Sequence, residues 1–325
     1  MTGIGAARRR GVALRVVLAC LLLLGVARAA ACGGDDLETV RVGVIPIADV
    51  APLYLGREQG FFEDEGLEVE TEPAAGGAAI AQAVAGGDLE FGFSNTISLL
   101  IAASQGLPVQ IVAQGVLGGT DERRAWANLV VGRDSDIATV ADLEGRTIGV
   151  NTLNNICEVT IKASLEGQGV EVATLRFTEL PFAAMDAALR EGRVAAACAV
   201  EPFLSAAVAG GARPLDAFYV RTAPDLTVAT YFTSTAYAGE SPDVVARFTR
   251  AMNRSLDYAR THPGEVREIL PDYTEITPEV ARRIELPTWR ADLNRPTIAL
   301  LARLAEKYGL IDRQPDLDAL IRAPR

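Results

Sequence analysis

The chain has 325 residues, 49% of them hydrophobic and 22% charged, with a net charge of −11. That size and apolar content fit two ordinary domains and exclude a disordered chain. The first 31 residues hold five Arg and no acid, so the remainder stands at −16, which argues against nucleic acid or an anionic lipid surface as a partner.

The chain opens with an export signal. Arg8, Arg9, Arg10 and Arg15 form a basic start, and Val16 to Val26 is an apolar run too short for a membrane span. Two cleavage readings follow. Ala27-Arg28-Ala29 suits ordinary signal peptidase. Ala30-Ala31-Cys32 before Gly33-Gly34 resembles a bacterial lipobox, although Ala29 stands where Leu is usual. The second reading makes residues 1–31 the signal, Cys32 a lipidated first residue and 32–38 a flexible tether.

A strand is expected over Val40–Ala48, VRVGVIPIA, and then a short helix closing on EQGFFEDEGLEVE, Glu58 to Glu70. A second strand leads to Gly76-Gly77 and a helix. A third strand, in GDLEFGFSN, is expected to end at Phe93, with a helix starting at Ser94-Asn95-Thr96. Val109–Gly115 is the next strand, and Trp126–Gly132 the first crossing into a second lobe. The pattern then repeats: a short helix Val140–Leu143, a strand Thr147–Val150, the polar turn Asn151-Thr152-Leu153-Asn154-Asn155 and a helix from Ile156. Leu175–Glu179 and Val194–Val200 are strands, Ala183–Glu191 and Leu204–Ala209 helices, and Thr227–Thr233 a strand crossing back. Helices follow at Pro242–His262, Glu265–Leu270, Pro278–Glu285 and Pro296–Tyr308, several marked by first-turn prolines.

Strands that end in polar or Gly-rich turns opening helices place those turns at one edge of a mostly parallel sheet, where such folds bind small ligands. Ser94, Asn95 and Thr96 are the first candidates. Asn151, Thr152, Asn154 and Asn155 are their counterparts in the second half. Helix capping is the competing reading for each turn. Asp49 is either an N-cap or a carboxylate aimed at a ligand amino group. Glu201, ending a strand in VEPF, either faces the cleft or makes a hinge hydrogen bond. Gln114 is placed at a strand end, and Phe203 is a stacking wall, with Phe93 and Tyr54 more at home in the core. If Asp49 and Glu201 both face the cleft, a dianion is disfavoured there. Cys157 and Cys198 are expected to form a disulfide in an exported chain. His262, the only histidine, stands in a THPGE turn and is read as a solvated turn residue. The chain has no Walker loop, HExxH, GxSxG or CxxC, and neither a cofactor nor a metal is expected.

The order of these pieces, from VRVGVIPIA through GDLEFGFSN to NTLNN and VEPF, resembles the solute-binding proteins of ABC importers. The branch in question handles nitrate, sulfonates such as taurine, and thiamine-pyrimidine precursors. The resemblance implies the type II periplasmic-binding-protein fold: α/β, two lobes, each a doubly wound mostly parallel sheet, joined by crossing strands. Lobe one would hold residues 39–128 and 230–325, lobe two 129–229. It implies a ligand contact from the 151–155 turn, a small polar solute, a permease and an ATPase as partners, and a monomer on the outer face of the cell membrane. A thiamine-pyrimidine enzyme on the same fold and a ligand-sensing protein are the alternatives. The enzyme's Cys and His set is absent from this exported chain.

Overall fold

The computed structural model describes residues 37–322. The signal, Cys32 and most of the tether lie outside the described residues. Among the described residues, ten strands form two five-stranded sheets.

The first sheet contains β1 (Glu38–Val44), β2 (Leu67–Pro73), β3 (Phe91–Asn95), β4 (Val109–Leu117) and β10 (Thr227–Ser234), in the order β2-β1-β3-β10-β4. β1 pairs parallel with β2 and β3, while β10 runs antiparallel to both neighbours. Val40, Val42 and Val44 are buried, as a period of two in a half-buried strand requires. All eight residues of β10 are buried, as befits a strand covered on both faces.

The second sheet repeats this plan with β5 (Ala127–Val131), β6 (Thr147–Val150), β7 (Arg176–Glu179), β8 (Ala196–Val200) and β9 (Arg213–Asp216), in the order β7-β6-β8-β5-β9. Here β5 is the antiparallel strand in the place of β10. β5 and β10 span the expected lobe cuts at 128/129 and 229/230, and each belongs wholly to one sheet. β9 is a strand that the sequence reading missed.

The helices that position the site are α1 (Ala51–Glu58), α2 (Gly77–Gly86), α3 (Thr96–Ser104), α4 (Ile156–Glu166), α5 (Phe182–Arg190), α6 (Phe203–Ala209) and α7 (Phe218–Thr222). They are followed by α8 (Thr235–Glu240), α9 (Pro242–Thr261), α10 (Pro263–Tyr273), α11 (Pro278–Ala281), α12 (Arg295–Lys307) and α13 (Leu317–Leu320). The long helix α9 lays an apolar stripe on the first sheet and α1. Its Phe248 stacks on Phe91 of β3 with centroids 3.9 Å apart. β3 runs two residues beyond the expected end at Phe93, because Ser94 and Asn95 still pair with Thr230 and Ala229 of β10.

Two segments cross between the sheets side by side. Gly118 N donates to Leu226 O at 2.9 Å and Asp225 N to Gly119 O at 2.8 Å. Trp126 Nε1 closes the crossing by donating to Leu117 O at 2.9 Å. His262 caps the end of α9, stacked on Tyr258 with centroids 3.7 Å apart.

Candidate functional site

The carboxyl ends of β1, β3, β6 and β8 meet where the two sheets face each other. The residues there are almost wholly buried: Asp49 is 3% exposed, Asn155 1%, and Ser94, Gln114 and Thr230 0%.

The wall from the first sheet is a row across three strands. Thr230 of β10 lies opposite Ser94 on one side and Gln114 on the other, so the three side chains share a face. Gln114 is not at a strand end, as expected, but inside β4. Its Nε2 donates to Val116 O at 3.2 Å, which fixes the amide orientation, since two carbonyls cannot pair. Its Oε1 and the Thr230 hydroxyl are buried without a partner. Two glycines bring α2 against this row. A Cβ on Gly77 would lie 2.1 Å from Ser94 Oγ, and one on Gly76 would lie 2.6 Å from Thr152 Cγ2 of the second lobe. The start of α2 carries no side-chain cap, so its backbone N–H groups are free beside Ser94 and Thr152.

Asn95 and Thr96 are committed elsewhere. Asn95 is the N-cap of α3: its Oδ1 accepts from Ser98 N and its Nδ2 donates to Ser98 Oγ, both at 2.9 Å. The Thr96 hydroxyl donates to Thr227 O at 2.6 Å, tying α3 to β10.

In the second lobe, the turn after β6 divides in the same way. Asn155 caps α4 by accepting from Glu158 N at 3.3 Å. Its Nδ2 donates to Asn151 Oδ1 at 2.6 Å and to Thr152 Oγ1 at 3.0 Å. Asn154 is exposed and left-handed, with φ of 54°, and its N–H donates to Glu158 Oε2 at 3.0 Å. Asn154 therefore shapes the turn. Cys157 and Cys198 form a disulfide behind it, with Cα atoms 6.3 Å apart. Cys157 Sγ lies 4.0 Å from Asn151 Oδ1 and 3.8 Å from the Tyr219 hydroxyl of α7.

Asp49 stands across from Tyr219. It lies in a 3-10 turn, Ala48–Val50, and caps no helix, which rules out the capping alternative. The turn is pinned from both lobes: Ala48 N donates to Glu201 O at 3.0 Å, and Trp289 Nε1 donates to Asp49 O at 3.1 Å. Tyr219, Tyr231 and Tyr273 are held well above the ordinary tyrosine range, first by burial and then by the charge of Asp49 among their neighbours. Asp49 Oδ1 and the Tyr231 hydroxyl have no partner. Burial pushes the Asp49 carboxyl up to about 8.

Glu201 serves the hinge. Its carboxylate accepts from Ser205 N at 3.1 Å, Ser205 Oγ at 2.7 Å and Glu285 N at 3.2 Å. Burial pushes it up to about 7 against those hydrogen bonds. Phe203 stacks on Phe182, with centroids 5.9 Å apart, at the adjoining starts of α6 and α5. Tyr54 stacks on Tyr273 at 3.9 Å, and Phe93 is core.

Thr230, Tyr231, Tyr219 and Tyr273 are residues that the sequence reading missed. Tyr231 lies in a strand that it named, and Tyr219 in a helix that it did not. Among the described residues no group of three His, Cys, Asp or Glu could hold a metal ion, and no helix is long and apolar enough to cross a membrane.

A chain with two sheets of this order and buried polar turns between them can hold a small solute. Comparison with known proteins agrees on the fold. The NMT1/THI5-like family profile matches residues 47–266. The chain belongs to that family. The riboflavin-binding protein RibY of Chloroflexus aurantiacus is 24% identical over 264 residues, 78% of this chain and 73% of that protein. The alkanesulfonate-binding protein SsuA from Xanthomonas axonopodis pv. citri, solved with MOPS bound, superposes with a TM-score of 0.71 at 19% identity, over 89% of this chain and 99% of that one. Most of the curated relatives of this family member are named as binding proteins, two of them as periplasmic and one of those two as part of an ABC transporter. One relative, from Aspergillus parasiticus and 23% identical over 70% of this chain and 67% of its own, is named as a 4-amino-5-hydroxymethyl-2-methylpyrimidine phosphate synthase.

Proposed function

We propose that this family member is the extracytoplasmic solute-binding component of an ABC importer, clamping a small polar organic solute between its two lobes. The observation that carries the proposal is the pair of buried, unpartnered polar atoms in the Ser94–Thr230–Gln114 row, Gln114 Oε1 and Thr230 Oγ1, with Asp49 Oδ1 buried and unpartnered in the turn after β1. A folded protein leaves few such groups unless something else pairs with them. Ser94, Asn151, Thr152 and Asn155 complete the walls, and Asn95, Thr96, Asn154, Glu201 and Phe203 hold the walls in place. The lobes part at the crossing segments around Gly118–Trp126 and Asp225–Leu226, a few residues before the expected cuts at 128/129 and 229/230. The protein works as a monomer with a permease and an ATPase.

Because the site residues are buried, a solute enters only when the lobes swing apart and is held when they close. Glu166 of α4 receives Lys307 and the Tyr308 hydroxyl, the latter at 2.7 Å, and these contacts latch the lobes outside the site. Cys32 would carry the lipid anchor. Cys32→Ser should then release the protein from the membrane fraction, and a membrane-bound variant would count against the anchor.

Titration calorimetry against a panel of small solutes, with the recovered solute checked by mass spectrometry, tests the reading. Saturable binding of an unchanged solute supports it. Conversion of the solute to a product would favour the enzyme alternative.

A further inference from the structure

A cavity of about 360 Å³ lies outside the site between the sheets. Its walls are the crossing segment after β4, the junction of α9 and α10, and the stretch Glu285–Trp289. Three arginines line it, Arg124, Arg260 and Arg267, against two acids, Asp121 and Glu285. In a chain of net charge −11, that surplus of cation is local.

Both acids are occupied. Glu285 Oε1 accepts from Arg124 Nε at 2.9 Å and from its second guanidinium nitrogen at 2.7 Å. Asp121 Oδ1 accepts from Arg123 N at 3.0 Å. Two of the arginines are not matched. Arg260 reaches Asp257 only at 3.8 Å, beyond hydrogen-bond length. Arg267 meets no carboxylate among the described residues. It donates to two neutral carbonyls, Pro263 O at 3.0 Å and Ile284 O at 3.4 Å, and its Nε is buried with no partner. The two carbonyls fix the guanidinium at the wall without answering its charge. A half-buried charge left so is costly unless an anion pairs with it.

The rest of the wall suits a small organic molecule. Leu286, Pro287 and Trp289 give it an apolar side, and the volume falls at the lower end of the range for ligand cavities. The indole N–H of Trp289 is already spent on Asp49 O, so the ring offers the cavity its apolar surface alone.

We infer that this cavity is a second ligand site, separate from the space between the sheets, and that it takes a small organic oxyanion, a carboxylate or a phosphate ester, through Arg267 and Arg260. Guanidinium groups match the planar or tetrahedral oxygens of such anions in shape as well as charge. The site does not depend on the solute-binding reading, since it uses none of the residues of the cleft.

The test is titration calorimetry of the purified exported protein at pH 7.5 with succinate, glycerol 3-phosphate and inorganic phosphate. At least one should bind saturably, and the three separate a carboxylate site from a phosphate site. Arg267→Gln should raise the Kd of the bound anion by about 10-fold or more, as loss of a hydrogen-bonded charge allows. Arg260→Gln, at an exposed position, should raise it about two- to fivefold. Asn151→Ala, in the wall of the cleft, should leave it unchanged. Melting scans confirm that the variants are folded, and if Arg267→Gln does not fold, Arg260→Gln decides. No saturable binding of any of the three anions would overturn the inference. So would a Kd unmoved by the arginine substitutions, or one raised by Asn151→Ala alone, which would put the anion in the cleft and leave the solute-binding reading standing.

Discussion

Replacing Asp49 by Asn should stabilise the solute-free protein, and only at neutral to alkaline pH. Burial raises the folded-state carboxyl from 3.8 to about 8. A raised acid favours the folded state while it is protonated, so its contribution is fully present below pH ~4 and lost as the pH climbs through ~8. Four units at about 1.4 kcal/mol each set a ceiling of about 6 kcal/mol. Opening of the lobes hydrates the carboxylate before the chain unfolds, so about 2–4 kcal/mol is the expected share. Asn reproduces the shape of the protonated acid without its ionisation. At pH 9 the variant should therefore melt above the wild type by about 4–8 °C, at about 2 °C per kcal/mol for a chain of this size. At pH 3.5 the two should coincide. Glu201, raised to about 7, and Asp216, also raised by burial, slope the same way in both proteins and cancel in the difference. Scanning calorimetry at five pH values reads it. Parallel melting curves across the range would show that Asp49 reaches water in the folded state.

Three further outcomes follow from the contacts. Asn95→Ala removes both bonds of the α3 cap and should lower stability by about 1 kcal/mol in a melting scan, with solute affinity changed less than threefold. Glu166→Ala removes the exposed latch to Lys307 and Tyr308 and should raise the Kd two- to fivefold, as a pair worth about 0.2–1 kcal/mol allows, with the melting temperature nearly unchanged. The Cys157–Cys198 bridge closes a separation of 41 residues, so Cys198→Ser should cost about 3–4 kcal/mol. Unreduced mass spectrometry of the exported wild type should show the linked peptides.

The sheets were legible because their strands are short apolar runs punctuated by Gly and Pro. β6 and the turn Val140–Leu143 are found where the sequence places them. β9 was not legible: RPLD is a four-residue edge strand whose apolar content is one Leu and one Pro. The site was legible as polar turns at strand ends. Which polar atoms stay free was not. Asn95 and Asn155 have the residue types of both a cap and a ligand contact, and only the positions of Ser98, Thr152 and Asn151 decide. Asp49 could have been a cap. Its burial comes from Trp289, 240 residues away, and from α7 and β10. Thr230 lies in a strand buried on both faces, where no alternation marks the side that faces the cleft.

The most direct measurement is a crystal structure of the protein with the tightest-binding solute of the panel. The account predicts electron density between the sheets, with a polar atom of the ligand within about 3.2 Å of Asp49 Oδ1 and polar contacts to the Ser94–Thr230–Gln114 row. Density for that solute in another cavity alone, such as the 360 Å³ hollow lined by Thr120, Arg260, Arg267 and Thr288, with Asp49 left unpaired, would contradict it.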